Sequence, residues 1–264
     1  MAPQNRDRLV SVNAMVSELR TYMASWRTSA FAKQLRALLL SRSEKWAIDR
    51  AVVIGLGCTI PRQLNEETDE EYCLFRRHIL CQCMMFQEIA NIFSSEQGDR
   101  SIEMFASDPD IDRLDEELLE RLGITVVDKW EELVTTKTFV YSPFAPWPVG
   151  LRAIRRSPEL YLGVDWTVVI ELHDPRDPSK RKEGRWGMTM EQYAVCETFL
   201  KGRVESIFPG LENFPEYAAM DWERMLESHA ELIGVTYTAL LGPFRLYWPK
   251  PALPPVEGEG KRFG

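Results

Sequence analysis

AVVIGLGCTIPRQ, residues 51 to 63, is the stretch on which the fold turns. The β-branched run Val52, Val53 and Ile54 passes directly into Gly55-Leu56-Gly57. A buried strand ending in a glycine bend opens many nucleotide-binding α/β domains, because glycine permits a tight turn and lets a backbone come close to pyrophosphate. Gly55 and Gly57 supply the first two glycines of that pattern, but Ile60 and Pro61 stand where the third belongs. A phosphate cradle and a plain strand-end bend therefore both fit.

Downstream, strand and helix signals alternate. Residues 72 to 93, with Leu74, Phe75, Ile79, Leu80, Met84, Phe86, Ile89 and Ile92, predict a long buried helix after the acidic loop QLNEETDEE. SIEMFA (101 to 106) predicts a second strand, DEELLERLG (115 to 123) a helix closed by Gly123, and ITVVD (124 to 128) a third strand. TFVYSPF (138 to 144), PVGLRAIRR (148 to 156) and ELYLGVD (159 to 165) continue as strand, helix, strand. Strands separated by helices imply right-handed crossovers, so the expected fold is α/β: a Rossmann-like, mostly parallel sheet flanked by helices.

Upstream, apolar residues from Leu9 to Trp26 and from Phe31 to Leu39 recur at steps of three and four, which predicts two amphipathic helices broken near Thr28-Ser29. They serve as packing on the next domain or as a partner-binding surface. Beyond Trp166, TVVIELH reads as extended, DPRDPSKRKEGRWG as a polar loop and MTMEQYAVCETFLKGRVESIF as a helix, with a further helix over 220 to 233. The aromatic-rich C-terminal part, including Phe208, Phe214, Tyr217, Trp222, Tyr237, Phe244, Tyr247 and Trp248, reads as core, crevice cover or partner surface. The expected organisation is an N-terminal helical segment (1 to 45), the Rossmann-like domain (46 to 170), a C-terminal extension packed on it (171 to 248), and a Pro- and Gly-rich disordered tail (249 to 264).

Composition narrows the function. The chain has 264 residues, 45% of them apolar, enough to fill a core. With 40 acidic against 32 basic residues, the net charge of −8 gives no pull toward nucleic acid or anionic membranes. No apolar run reaches the ~20 residues of a membrane span, and MAPQNRDRLV lacks a secretory core, so a cytoplasmic or nuclear protein is expected. Five cysteines (Cys58, Cys73, Cys81, Cys83, Cys196) with no export signal predict reduced thiols. Cys81-Gln82-Cys83 is too tight for a zinc knuckle and has no second pair at ligand spacing, so no metal site is expected.

In open α/β sheets ligands sit outside the carboxyl ends of the strands. That rule selects Gly55, Gly57, Cys58 and Thr59 after the first strand, and Asp108, with its neighbours Ser107 and Asp110, after the second. After the fourth it selects Ser142, Pro143, Phe144 and Trp147, and after the fifth Gly163, Asp165 and Trp166. Asp108 could hold ribose hydroxyls, although it stands farther from Gly57 than the ~20 residues of the dinucleotide motif. Asp108-Pro109 fits a helix-start turn equally well. Cys58 has no recognisable base, and His78, His173 and His229 are scattered. HExxH, GxSxG and Walker patterns are absent, so no catalytic residue can be assigned.

Taken together, IGLGC (54 to 58), FRRHILCQCMMFQEI, SDPDIDRLDEELLERLGITVV, TFVYSPFAPWPVGLRAI and ELYLGVD resemble the SENSITIVITY TO RED LIGHT REDUCED-like domain over roughly residues 46 to 166. The resemblance implies a Rossmann-like fold and a regulatory role in circadian timing or haem and tetrapyrrole synthesis. It also maps the family's glycine turn onto Gly55 and Gly57, its Asp-Pro turn onto Asp108 and Pro109, the proline after strand four onto Pro143 and the glycine after strand five onto Gly163. Family members often carry His-Cys after the strand-four proline and Asn-Ser after the strand-five glycine. Here stand Phe144 and Ala145, and Val164 and Asp165, and Cys58 replaces a small hydroxyl residue. These departures remove the groups on which thiolate or imidazole chemistry from that loop would rest.

Three functions follow as alternatives. One is a regulatory protein acting through a protein partner or a small ligand. Another is an S-adenosylmethionine-dependent methyltransferase-like enzyme with Asp108 at the ribose and Phe144, Trp147 and Trp166 walling the acceptor; such a reaction needs mainly proximity and orientation. The third is a haem-binding protein with an axial ligand from His78, His173 or a cysteine.

Overall fold

The computed structural model describes residues 11–42, 44–57, 59, 69–143, 145–180, 187–209 and 244–251. The expected helix over 220 to 233, His229, Cys58 and Phe144 lie outside them, as do Phe214, Tyr217, Trp222, Tyr237 and all of the tail beyond residue 251.

Seven helices and seven strands alternate in the described chain: α1 (Val12–Thr28), α2 (Ala30–Leu40), β1 (Arg50–Ile54), α3 (Asp69–Glu96), β2 (Glu103–Ser107), α4 (Arg113–Arg121), β3 (Ile124–Val126), β4 (Thr138–Tyr141), α5 (Trp147–Ile154), β5 (Leu160–Gly163), α6 (Trp166–His173), α7 (Met190–Lys201), β6 (Arg203–Ile207) and β7 (Arg245–Pro249). They build one sheet in the order β3-β2-β1-β4-β5-β7-β6. Strands β1 to β5 are parallel; β7 runs antiparallel to both β5 and β6. The α/β class and the mostly parallel sheet expected from the alternation are both present.

Side-chain alternation along β1 divides the core. Ala51 and Val53 face one apolar layer with Met15, Leu35 and Phe86, and Val52 and Ile54 face the other with Leu151, Val169 and Phe199. The first layer lies under α1 to α4, the second under α5 to α7. Both faces of β1 being buried explains why it reads as an unbroken apolar run. The two N-terminal helices form as their periodicity predicts. Ser29 ends α1 with extended backbone and caps α2 by accepting from the Ala32 N–H at 3.0 Å, which places the break where it was read. The apolar stripe Met15, Leu19, Tyr22 and Trp26 is buried, so this face of α1 serves as packing.

Four local readings are corrected. TVVIELH is helical, not extended: Asp165 caps α6 by accepting from the Thr167 and Val168 N–H groups, and this overrides the β-branched propensity of the segment. The helix read through to Phe208 stops at Gly202, after which RVESI forms β6. Asp108 does not cap α4; Asp112 does, in a reciprocal box with Asp115. The tail read from residue 249 is shortened, because Pro249 ends β7; Phe208, Tyr247 and Trp248 are core residues, which agrees with the core reading of the aromatic-rich part.

Candidate functional site

Strand order reverses between β1 and β4, so the carboxyl ends of these strands and their neighbours form the switch-point edge of the sheet. The glycine bend stands there. Gly55 and Gly57 have φ of 71° and 82°, left-handed values that strongly favour glycine. Gly55 has a second reason to be glycine: a Cβ at this position would stand 2.3 Å from the Ala145 backbone nitrogen. The bend after β1 and the loop after β4 thus cross at backbone distance, and the contact that demands glycine is made with protein.

The Gly55, Gly57 and Thr59 N–H groups are also committed, Gly55 to the Ser107 carbonyl. Gly57 donates to Asp108 Oδ2 at 2.9 Å, while Asp108 Oδ1 accepts from the Asp110 N–H at 2.9 Å. Thr59 donates its N–H to Asp115 Oδ1 at 3.0 Å and its hydroxyl to the same oxygen, and Asp115 Oδ2 accepts from the Asp112 N–H. Two helix-side carboxylates therefore occupy positions where a phosphate cradle would hold its anion. Burial pushes both Asp108 and Asp115 above the usual aspartate range, against the lowering effect of the N–H donors each accepts from.

The other sequence-selected residues fall into four groups. Ser142 and Pro143 are buried just past β4, and the Ser142 N–H still pairs with the Leu162 carbonyl at 2.8 Å. Gly163 ends β5, where a Cβ would stand 2.7 Å from the Tyr161 hydroxyl and 2.9 Å from the Ser142 carbonyl oxygen. Trp147 and Trp166 are core residues; the Trp147 ring lies 5.3 Å from that of His173. Asp165 is held by its cap and by Arg245, whose Nε lies 2.7 Å away. The structure brings Gly57 to Asp108 and Gly163 to Ser142, and seats Trp147, Trp166 and Asp165 in structural contacts.

Groups for covalent or haem chemistry are dispersed among the described residues. His78 is buried on α3 and His173 on α6, on opposite sides of the sheet. Cys81, Cys83 and Cys196 are buried, and burial pushes the Cys83 and Cys196 thiols up to about 12, so neither of these two is a thiolate near neutrality. No group of three or more metal-ligating side chains occurs among the described residues, and none of the described helices is long and apolar enough to cross a membrane.

Sequence reading missed Asp115, Ala145, Tyr161 and Arg245. Only Asp115 carried a signal, the Asp112-x-x-Asp115 spacing of a capping box before an apolar run.

The SRR1 domain family model matches residues 28–221. The chain belongs to the SRR1 domain family. The match takes in the whole stretch over which the sequence resembled this family, and runs beyond it into α2, α7 and β6. No curated protein and no solved structure gives a match. In this SRR1 domain Gly55 meets the backbone of the loop after β4, and Asp108 anchors Gly57.

Proposed function

We propose that this SRR1 domain is a regulatory protein of circadian or haem and tetrapyrrole-linked control, acting in the cytoplasm or nucleus through a protein partner or a phosphate-free small molecule. The observation carrying this reading is the capture of the bend's donors: Gly57 is held by Asp108, and Thr59 by Asp115. A phosphate entering there would have to displace one carboxylate and stand beside the other, which like-charge repulsion opposes. Family membership supports regulation as the role.

The test combines a ligand screen with a cellular readout. Thermal unfolding is followed with pyrophosphate, ATP, NAD, S-adenosylhomocysteine and haem, since a ligand that binds only the folded state raises the melting temperature. The reading expects no shift with the three phosphate compounds, and an altered tetrapyrrole content or circadian period when the gene is deleted. A shift of several degrees with ATP or NAD, or deletion without either phenotype, overturns it.

A second reading, S-adenosylmethionine-dependent methyl transfer, is favoured by the strand order. A reversed β7 between β5 and β6 is the arrangement of Rossmann-like methyltransferases, a fold-level likeness. Asp108 follows β2 beside the bend, and its carboxylate oxygens keep lone pairs for ribose hydroxyls. A thermal shift with S-adenosylhomocysteine, together with label transfer from methyl-labelled S-adenosylmethionine, selects this reading. A Soret shift on haem titration, lost in a single His or Cys variant, selects haem binding instead.

A further inference from the structure

The turn before β5, the junction of α7 with β6 and the end of β7 meet at the amino edge of the sheet, opposite the glycine bend. Arg203 Nη1 donates to the Pro158 carbonyl at 2.7 Å, and the Lys250 N–H donates to the Gly202 carbonyl at 3.1 Å. Lys250 Nζ donates to the Lys201 carbonyl at 2.7 Å. Five cations belong to these segments: Arg155, Arg156, Lys201, Arg203 and Lys250. Glu159 holds a sixth, Arg42, beside them at 2.6 Å.

Four carboxylates are paired with three of the six. Arg42 takes Glu159 and Glu44, Arg155 binds Glu191 at 2.9 Å, and Lys201 lies 3.6 Å from Glu197. Arg156, Arg203 and Lys250 form no ion pair among the described residues. Three positive charges are thereby left without a carboxylate, in a chain whose net charge is −8.

Arg203 sets this edge apart from an ordinary solvated face. It is 9% exposed and lies over the Phe199 ring, 5.1 Å from its centroid. Burial pulls its pKa down to about 10, against the raising effect of Glu159, and it stays a cation near neutrality. A buried guanidinium without a carboxylate is costly, and an apolar side chain could cover Phe199 without that cost. Nη1 alone bonds to protein among the described residues, and the other N–H groups are not enclosed. They can donate side by side to an incoming carboxylate, with the exposed Arg156 and Lys250 steering it inward. Arginine clusters recognise acidic motifs, whereas a long nucleic acid would meet the chain's overall negative charge.

We propose that the amino edge at β5, β6 and β7 is a docking surface for an acidic peptide segment of a protein partner, its carboxylates pairing with Arg203, Arg156 and Lys250. This partner chemistry rests on the reading that the domain acts through a protein partner.

The test is fluorescence anisotropy of a labelled oligoglutamate peptide titrated with the full chain. The wild type is expected to bind it, more weakly as added salt screens the charges. Arg203→Met is expected to weaken binding about tenfold, and Arg156→Glu and Lys250→Glu about threefold or more. Lys129→Glu, an exposed position after β3 at the opposite edge, makes the same change in net charge as Lys250→Glu and is expected to leave binding unchanged. Absence of wild-type binding overturns the proposal, as does equal weakening by Lys129→Glu or undiminished binding by the Arg156 and Lys250 variants. These two positions are exposed, so the outcome does not depend on Arg203→Met folding. A single-stranded RNA that binds more tightly than the peptide at the same salt assigns the surface to nucleic acid and overturns the proposal likewise. Tetrapyrrole content and circadian period do not enter the assay, so its failure is distinguishable from failure of the regulatory reading.

Discussion

Asp108 accepts the Gly57 N–H at 2.9 Å, a bond between residues separated by 51 positions that ties the end of β2 to the bend after β1. It also accepts from Asp110, so one buried carboxylate fixes two loops. Asp108→Ala leaves both N–H groups without their acceptor and is expected to cost about 2 to 3 kcal/mol. Asp108→Asn retains a carbonyl oxygen and costs less. Urea unfolding of the two variants checks the order.

The same carboxylate makes stability depend on pH. The folded-state pKa of Asp108 lies above the ordinary aspartate value of 3.8, chiefly through burial. The folded chain therefore holds this proton more tightly than the unfolded one. The contribution is fully present below pH 3.8 and is lost as pH rises through the folded pKa. The expected outcome is that the stability difference between wild type and Asp108→Asn shifts toward the wild type on acidification through this window. Asp115 shifts in the same direction, so the variant retains part of the wild-type slope.

Gly55 and Gly123 have nearly equal φ, 71° and 72°, but different surroundings. A Cβ at Gly123 meets nothing within 4 Å, whereas one at Gly55 drives into the Ala145 backbone. Gly123→Ala is expected to cost about 1 kcal/mol from backbone strain alone. Gly55→Ala adds an overpacking penalty and is expected to cost on the order of 3 kcal/mol or more. Denaturation midpoints of the pair isolate the crossing of the β1 and β4 loops; equal midpoints would remove it as the reason for Gly55.

Asp165 joins the start of α6 to β7. It caps Thr167 and Val168 and pairs with Arg245, which also lies 3.3 Å from Glu205. Asp165→Asn keeps a good cap and removes only the charge, whereas Asp165→Ala loses both, with about 1 kcal/mol assigned to the cap. Thermal unfolding is expected to rank wild type above Asn above Ala. Equal losses in the two variants would place the whole effect in the ion pair with Arg245.

Glu159 binds Arg42 at 2.6 Å with both side chains about a tenth exposed, and the Arg42 guanidinium lies 4.5 Å from the centroid of the Trp46 ring. This pair fastens the segment after α2 to the start of β5. Glu159→Gln is expected to destabilise by about 2 kcal/mol, because the buried guanidinium then keeps only the half-exposed Glu44, 3.2 Å away, as a charged partner. Faster proteolytic cleavage between residues 41 and 49 in the variant would report the loosened attachment.

Much of this architecture was legible in the chain. The apolar run 51 to 54, the amphipathic periods of α1, α2 and α3 and the Gly123 stop are local features, and local sterics and hydrophobic spacing specify them. The parallel core of the sheet follows from their alternation. TVVIELH misled because its composition favours a strand while the residue just ahead of it, Asp165, caps a helix, and the β6 and β7 pairing lay hidden because those strands are far apart in sequence. Only the tertiary structure decided what the glycine bend is for. Whether its N–H groups face a ligand or the protein depends on Asp108 and Asp115, 51 and 56 residues away from Gly57 and Thr59, and on a loop crossing at Ala145. Spacing along the chain carries no record of such contacts, since they exist only once burial has brought those loops to one edge of the sheet.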